Sequence, residues 1–305
     1  MAELGRVMKQ VLLVAGAFAG LAAPTFAAPA RVAAPAAAPP RPAIWVIEDE
    51  DTKIYLFGTV HVFPSTLRWR SAALDRVIAE ADELVMETPE ASADDMNVSE
   101  RLLAPMQLGK SLPILDRVSP RARQPLAAAL QATGMPLEYF NQLSTWGVAF
   151  LLTGFQMAQG GDEVSEVTGA EEVLGSIFRK SRRPISGVET MEEQVNVFAS
   201  MPLDGQRRFL ESVVVEAEGA GEAEPTDKSW ARGDVEAIAA EMQAMAPDLY
   251  QALLTRRNRN WTTWLARRME RPGTVLFAVG AGHLAGPDSV QRMLAARGIQ
   301  AQRID

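Results

Sequence analysis

Two histidines occur in this chain, and each closes a Gly-x-x-His segment that follows an apolar run. The first is Ile54-Tyr-Leu-Phe-Gly-Thr-Val-His61 and the second is Val275-Leu-Phe-Ala-Val-Gly-Ala-Gly-His283. Glycine is about 7% of an average chain, so chance would place one three residues before both histidines roughly once in 200 sequences. Two glutamates occupy similar positions: Glu87 ends Leu84-Val-Met86, and Glu189 ends Ile185 to Val188. Two imidazoles and two carboxylates meeting at one sheet edge would suit a divalent ion of the zinc, manganese or cobalt kind. Such an ion polarises a carbonyl and acidifies water, and a Glu not used as a ligand could act as general base. The chemistry would be metal-assisted hydrolysis.

Arg257 and Asn258, in Arg256-Arg-Asn-Arg-Asn-Trp261, could bind a substrate carboxylate or orient a carbonyl oxygen. Each group also has a plainer role open to it. A histidine after a strand is commonly a hydrogen-bonded structural residue. A Glu just before a helix, as Glu189 is, commonly serves the helix start. The Arg256 to Trp261 stretch could be a solvated basic face with Trp261 and Trp264 packed inward.

The elements that must position these groups follow from periodicity. Ile44-Trp-Val-Ile and Ile54-Tyr-Leu-Phe flank a polar turn and predict a β-hairpin. Thr66 to Ala81 has helical apolar spacing, and Glu83 to Glu87 is a short strand. Helices are expected over 92–107, from Pro120 to Ala132 behind Ser119, over Pro136 to Gln142 and over Trp146 to Ala158. Thr168 is expected to cap a helix from Gly169 to Ser181. Further helices are expected over Met191 to Ala199, Leu203 to Val215, Asp234 to Ala246 and Asp248 to Met269, with a solvated acidic loop over Glu216 to Asp227. A strand–helix–strand piece runs from Thr274 to the end. Gly58 and Gly280 are expected to form sharp turns that aim the histidines over the sheet edge. The prediction is an α/β fold with a mixed sheet. It has two related strand–GxxH–helix–strand halves and a large helical insertion between them.

Composition narrows the classes. The chain has 305 residues, 48% hydrophobic, with a formal net charge of −8. No basic cluster interleaves with aromatics, so nucleic acid is not an expected partner. There is no cysteine, which excludes a disulfide scaffold, a thiolate metal site and a cysteine nucleophile. H-E-x-x-H, G-x-S-x-G, a phosphate loop and a dinucleotide fingerprint are all absent. Arg6, Lys9, the apolar Val11 to Ala22 and Thr25-Phe26-Ala27 make a secretory signal peptide over 1–27. An Ala/Pro-rich tether over 28–42 follows, then one domain over 43–305. After signal removal no stable membrane insertion is expected, and the protein should be periplasmic or secreted.

With Leu84-Val-Met-Glu87, Gly187-Val-Glu-Thr-Met-Glu-Glu-Gln194, Arg257-Asn258 with Trp261, and Val279-Gly-Ala-Gly-His-Leu-Ala-Gly-Pro287 beside the first Gly-x-x-His segment, the chain resembles the TraB/GumN family. That family includes the pheromone-shutdown protein PrgY and is related to the animal Tiki proteases; the likeness is closest to its exported bacterial GumN-like branch. The resemblance implies a manganese- or cobalt-dependent metallopeptidase acting on peptides or exported proteins. His61, His283 and Glu87 would be metal or catalytic residues, with Glu189, Arg257 and Asn258 close by. The competing expectations are a non-catalytic peptide- or glycan-binding module and an accessory protein of envelope polysaccharide export.

Overall fold

The computed structural model describes residues 40–61, 63–88, 106–107, 112–159, 167–215 and 226–305. The expected leader, residues 28–39 of the tether, nearly all of the helix expected over 92–107 and residues 216–225 of the acidic loop lie outside the described residues. No helix among the described residues is long and apolar enough to cross a membrane.

Among the described residues the strands are β1 (Ile44–Glu48), β2 (Thr52–Thr59), β3 (Phe63–Pro64), β4 (Glu83–Met86), β5 (Val167–Thr168), β6 (Ile185–Gly187), β7 (Gly273–Gly280) and β8 (Gln302–Arg303). Six of them form one mixed sheet in the order β6-β4-β7-β2-β1-β8, and β3 pairs with β5 apart from it. The expected α/β architecture with a mixed sheet is what forms. β1 and β2 make the predicted antiparallel hairpin, while β2, β7, β4 and β6 run parallel.

The central pair, β2 and β7, is apolar from Ile54 to Gly58 and from Val275 to Gly280 because both sheet faces are covered there. Tyr55, Phe57, Leu276 and Ala278 enter one core; Ile54, Leu56, Val275, Phe277 and Val279 enter the other. The two halves interlace around this pair. After β2 the chain crosses β7 through helix Ala72–Glu80 to reach β4. After β7 it crosses β2 and β1 through helix Val290–Ala295 to reach β8. The crossovers run in opposite directions across the sheet, so right-handed connections must put their helices on opposite faces. Leu74, Val77 and Ile78 indeed join the first core, and Val290 and Leu294 the second. The helical insertion, including Pro120–Ala132, Thr145–Gln159 and Leu203–Val214, packs in the first core.

Three helix boundaries need correction. The helix expected over Thr66 to Ala81 starts only at Ala72. Ser71 caps it by accepting the Leu74 N–H at 3.1 Å. The preceding residues turn instead, and Trp69 packs with Phe57, Phe63 and Trp230. Thr168 does not cap the next helix: it pairs with Phe63 in β5, and Gly169 is the cap of Ala170–Lys180. The long helix over Asp248 to Met269 is broken into Pro247–Tyr250, a π-helical turn Gln251–Thr255 and Arg256–Arg268.

Gly58 and Gly280 lie within strands with ordinary backbone, so neither forms the sharp turn expected of it. Gly58 is required by proximity: a Cβ there would sit 2.9 Å from the Cα of Ala281, in the segment carrying the other histidine. Gly58→Ala must push the two histidine segments apart. It is expected to lower stability by about 1–3 kcal/mol, seen as an earlier urea midpoint.

Candidate functional site

Because β6, β4, β7 and β2 are parallel neighbours, their C-terminal ends share one sheet edge, where open α/β sheets gather functional groups. Glu87 directly follows β4, Glu189 follows β6, His61 follows β2, and His283 lies in the 3-10 turn Ala281–Leu284 after β7. The ladder between β4 and β6 continues past the strands: Val188 N–H donates to Met86 O at 3.0 Å and Glu189 N–H to Glu87 O at 2.8 Å. This aligns the two glutamates. Helix Arg256–Arg268 buries Trp261 and Leu265 in the second core and so brings Arg257 and Asn258, in its first turn, to the same edge.

The buried Arg257 guanidinium is the centre of the network. Nη2 donates to Glu87 Oε2 at 2.5 Å and to Glu189 Oε2 at 2.8 Å, and Nε lies 3.0 Å from both Glu189 oxygens. Nη1 reaches His283 Nε2 at 3.2 Å and Leu253 O, inside the π-helical turn, at 3.3 Å. The guanidinium carbon lies 4.8 Å from the centre of the Trp261 ring. Burial alone would lower its proton affinity, but Glu87 and Glu189 more than offset this and raise it.

Glu189 is not spent on the helix start. Thr190 and Glu193 form a capping box there, with bonds of 2.7 and 3.2 Å, and Glu189 is left to accept from Arg257 and from Trp261 Nε1 at 2.8 Å. Burial pushes its carboxyl up, against the pull of Arg257. Glu87 accepts the Gly280 N–H at 2.8 Å on Oε1 and Gln194 Nε2 at 3.3 Å on Oε2. Burial works against its charge, yet Arg257 first, then the imidazoles once protonated in acid, and the Gly280 N–H hold it at about 2.

His283 is neutral. Burial, opposed by Glu87 and aided by Arg257 and His61, depresses it to about 3. Its tautomer follows from Asn258, whose Nδ2 donates to Asp288 O at 2.7 Å and His283 O at 3.3 Å. The amide oxygen is therefore the atom 2.5 Å from His283 Nδ1, so Nδ1 carries the hydrogen and Nε2 keeps its lone pair. That lone pair lies 3.6 Å from Glu87 Oε1, and the ring centre is 4.2 Å from that of Trp261.

The structure thus joins Glu87, Glu189, Arg257, Asn258 and His283 in one hydrogen-bonded cluster. His61 stands beside it, close enough for its charge to lower both Glu87 and His283. It is paired with Glu171, Nδ1 to Oε1 at 2.9 Å. Sequence reasoning missed Glu171, gave Gln194 no role and placed Trp261 only as packing. The Gln had a signal, since it stands one helical turn beyond Thr190 on the helix that Glu189 precedes.

Among the described residues no three His, Asp or Glu side chains converge closely enough to ligate one ion. The donor chemistry nevertheless fits a divalent cation. Glu87 is ionised beside a neutral imidazole whose Nε2, facing the site, accepts from Arg257 Nη1 at 3.2 Å, and both Glu171 oxygens are buried, with Oε1 2.9 Å from His61 Nδ1. A family model, that of the TraB/PrgY/gumN family, matches residues 43–303. No curated protein and no solved structure matches the chain.

Proposed function

The chain belongs to the TraB/PrgY/gumN family, and from that premise we propose that it is an exported metal-dependent peptidase acting on peptides or exported proteins. The observation that carries this proposal is the neutral His283, its Nε2 lone pair 3.6 Å from an ionised Glu87 at the shared strand edge. Export is supported by the leader-like residues 1–27.

His61, His283 and Glu87 would hold the ion, manganese or cobalt foremost, with zinc as a further candidate. A divalent ion bound there would supply Lewis-acid polarisation of the scissile carbonyl. Glu87, held at about 2, is far too weak a base to take a proton at neutral pH, so its part is to bind and to set the charge of the site. Asn258 fixes the His283 tautomer through Nδ1. Arg257 offers N–H groups between Glu87 and His283, where a substrate oxygen would gain negative charge. Glu189 and Trp261 hold that guanidinium in place.

The test is mass-spectrometric cleavage profiling of the purified protein. Metal-stripped chain would meet a diverse peptide pool with and without manganese or cobalt. Cuts are expected only with metal. They should vanish in His61→Ala and fall by about 100-fold or more in Glu87→Gln while peptide binding persists. Folded, metal-loaded protein that cuts nothing would favour a peptide- or glycan-binding module using the same edge.

A further inference from the structure

We propose that the outer face of helix Arg256–Arg268, with Arg297 beside it, docks on an anionic phospholipid bilayer and holds the candidate site next to the membrane surface. This goes beyond the function proposed above and does not depend on its metal or its peptidase step.

Three observations carry it. The first is charge set against the rest of the chain. The whole chain carries −8, yet from Arg256 to the end it has nine basic residues and three acidic ones. Two of the nine, Arg257 and Arg268, are buried against Glu87, Glu189 and Glu83. The second is placement. Arg256, Arg259 and Arg267 are exposed, and helical geometry puts them within about 80° of one another around the axis. Thr263 lies on the same stripe, and Arg297 Nη2 donates to its hydroxyl at 2.8 Å, which fixes a fourth exposed guanidinium in the middle of it. Among the described residues none of these four is within ion-pair distance of a carboxylate, whereas exposed Arg70, Arg208 and Arg303 are held by Asp75, Asp248 and Asp305. Glu270, past the end of the helix, is the one exposed acidic residue between Arg256 and Arg297; half-buried Asp288 accepts from Thr255.

The third observation is the shape of partner that such a face fits. Arg256 and Arg267 stand about 16 Å apart along the axis, too far for one small anion to bridge. The large hydrophobic residues exposed among those described are Leu112, Leu137 and Leu203, all far from this face in sequence and carried by the segment inserted between the two halves. The face therefore lacks the apolar centre on which protein interfaces are built. An extended, unpaired cationic stripe with a polar middle matches a layer of lipid phosphates, to which each nearby arginine adds about 5-fold in affinity. The stripe begins on either side of Arg257 and Asn258, so docking keeps the strand edge close to the bilayer.

The experiment pellets the full chain with vesicles of phosphatidylcholine, alone or mixed with phosphatidylglycerol. The readout is the excess bound to the anionic vesicles, which sets aside any apolar contribution of residues 1–27. Arg259→Gln/Arg267→Gln/Arg297→Gln is expected to lose about 100-fold in that excess partitioning. Arg68→Gln/Arg76→Gln/Arg121→Gln removes the same charge from exposed positions elsewhere and should stay close to wild type. The excess should also collapse as salt is raised. Wild type with no preference for phosphatidylglycerol overturns the assignment, as does an equal loss in the two triple variants. Wild type that captures soluble polyglutamate but not anionic vesicles overturns it in favour of an acidic protein partner. Should the first triple variant lack a cooperative unfolding transition, Arg259→Gln/Arg267→Gln decides: a loss of about 25-fold upholds the assignment, and wild-type partitioning overturns it.

Discussion

Arg257→Met should destabilise the metal-free protein by about 3–5 kcal/mol, the largest effect expected of any single substitution in the cluster. The side chain is buried and is the common donor to Glu87 and Glu189. Methionine fills much of the volume but leaves two buried carboxylates side by side without their cation. The cost is therefore that of stranded charge rather than of a cavity. Part of the loss should return in Arg257→Met/Glu189→Gln, which removes one of the stranded charges and keeps the Trp261 contact available. Urea unfolding of the four members of this cycle gives the coupling directly. A loss below about 1 kcal/mol in Arg257→Met would mean that the network is not what holds the edge together.

The second large effect is acid lability. The Glu87 carboxyl is depressed from 4.5 to about 2, so its contribution is present above 4.5 and is lost as pH falls toward 2. That swing is worth about 3 kcal/mol. His283 is depressed from 6.5 to about 3. As pH falls through 6.5 the unfolded chain takes up this proton and the folded chain does not, so stability is lost across that window too. The two act in the same direction. Glu189, pushed upward by burial, acts in the opposite sense above the ordinary carboxylate range and only softens the fall. The urea midpoint of metal-free protein should decline steadily from pH 6.5 and level off near the Glu87 value. His283→Asn should flatten the limb between 6.5 and 4.5 and make the fall from 4.5 to 3 shallower, leaving the part that belongs to Glu87. A wild-type midpoint constant over that upper limb would contradict the neutral, buried His283.

The strand ends were legible in the sequence because their apolar runs are short, dense and closed by the residues that matter. Glu87 and His283 could be placed from Leu84 to Met86 and Val275 to Val279 alone. That both belong to one cluster with Arg257 was not legible from periodicity, because β2 and β7 pair across most of the chain and no local pattern encodes that pairing. Glu171 shows a different failure. An acidic residue in the first turn of a helix is favoured by the helix dipole wherever it points, so its sequence position gives no hint of a partner. Gly58 misled for a related reason. Glycine before a histidine suggests a turn, whereas the cause here is another segment's backbone lying against it. The break at Gln251–Thr255 has no Gly or Pro to announce it, and it lies directly before Arg257, as irregular helical turns often do beside functional groups.

The interlaced sheet also sets an order in time. Glu87 and the Gly280 N–H that steadies it are 193 residues apart, and β2 reaches the outside world long before β7, its central partner, has been made. Such distant pairing is a slow step, since a long stretch of chain must be closed before any contact rewards it. The carboxylate edge is therefore assembled last, from the final stretch of polypeptide, and a nascent or prematurely terminated chain lacks half of it. A chain built this way cannot close its buried charge network until β7 and the turn after it have emerged.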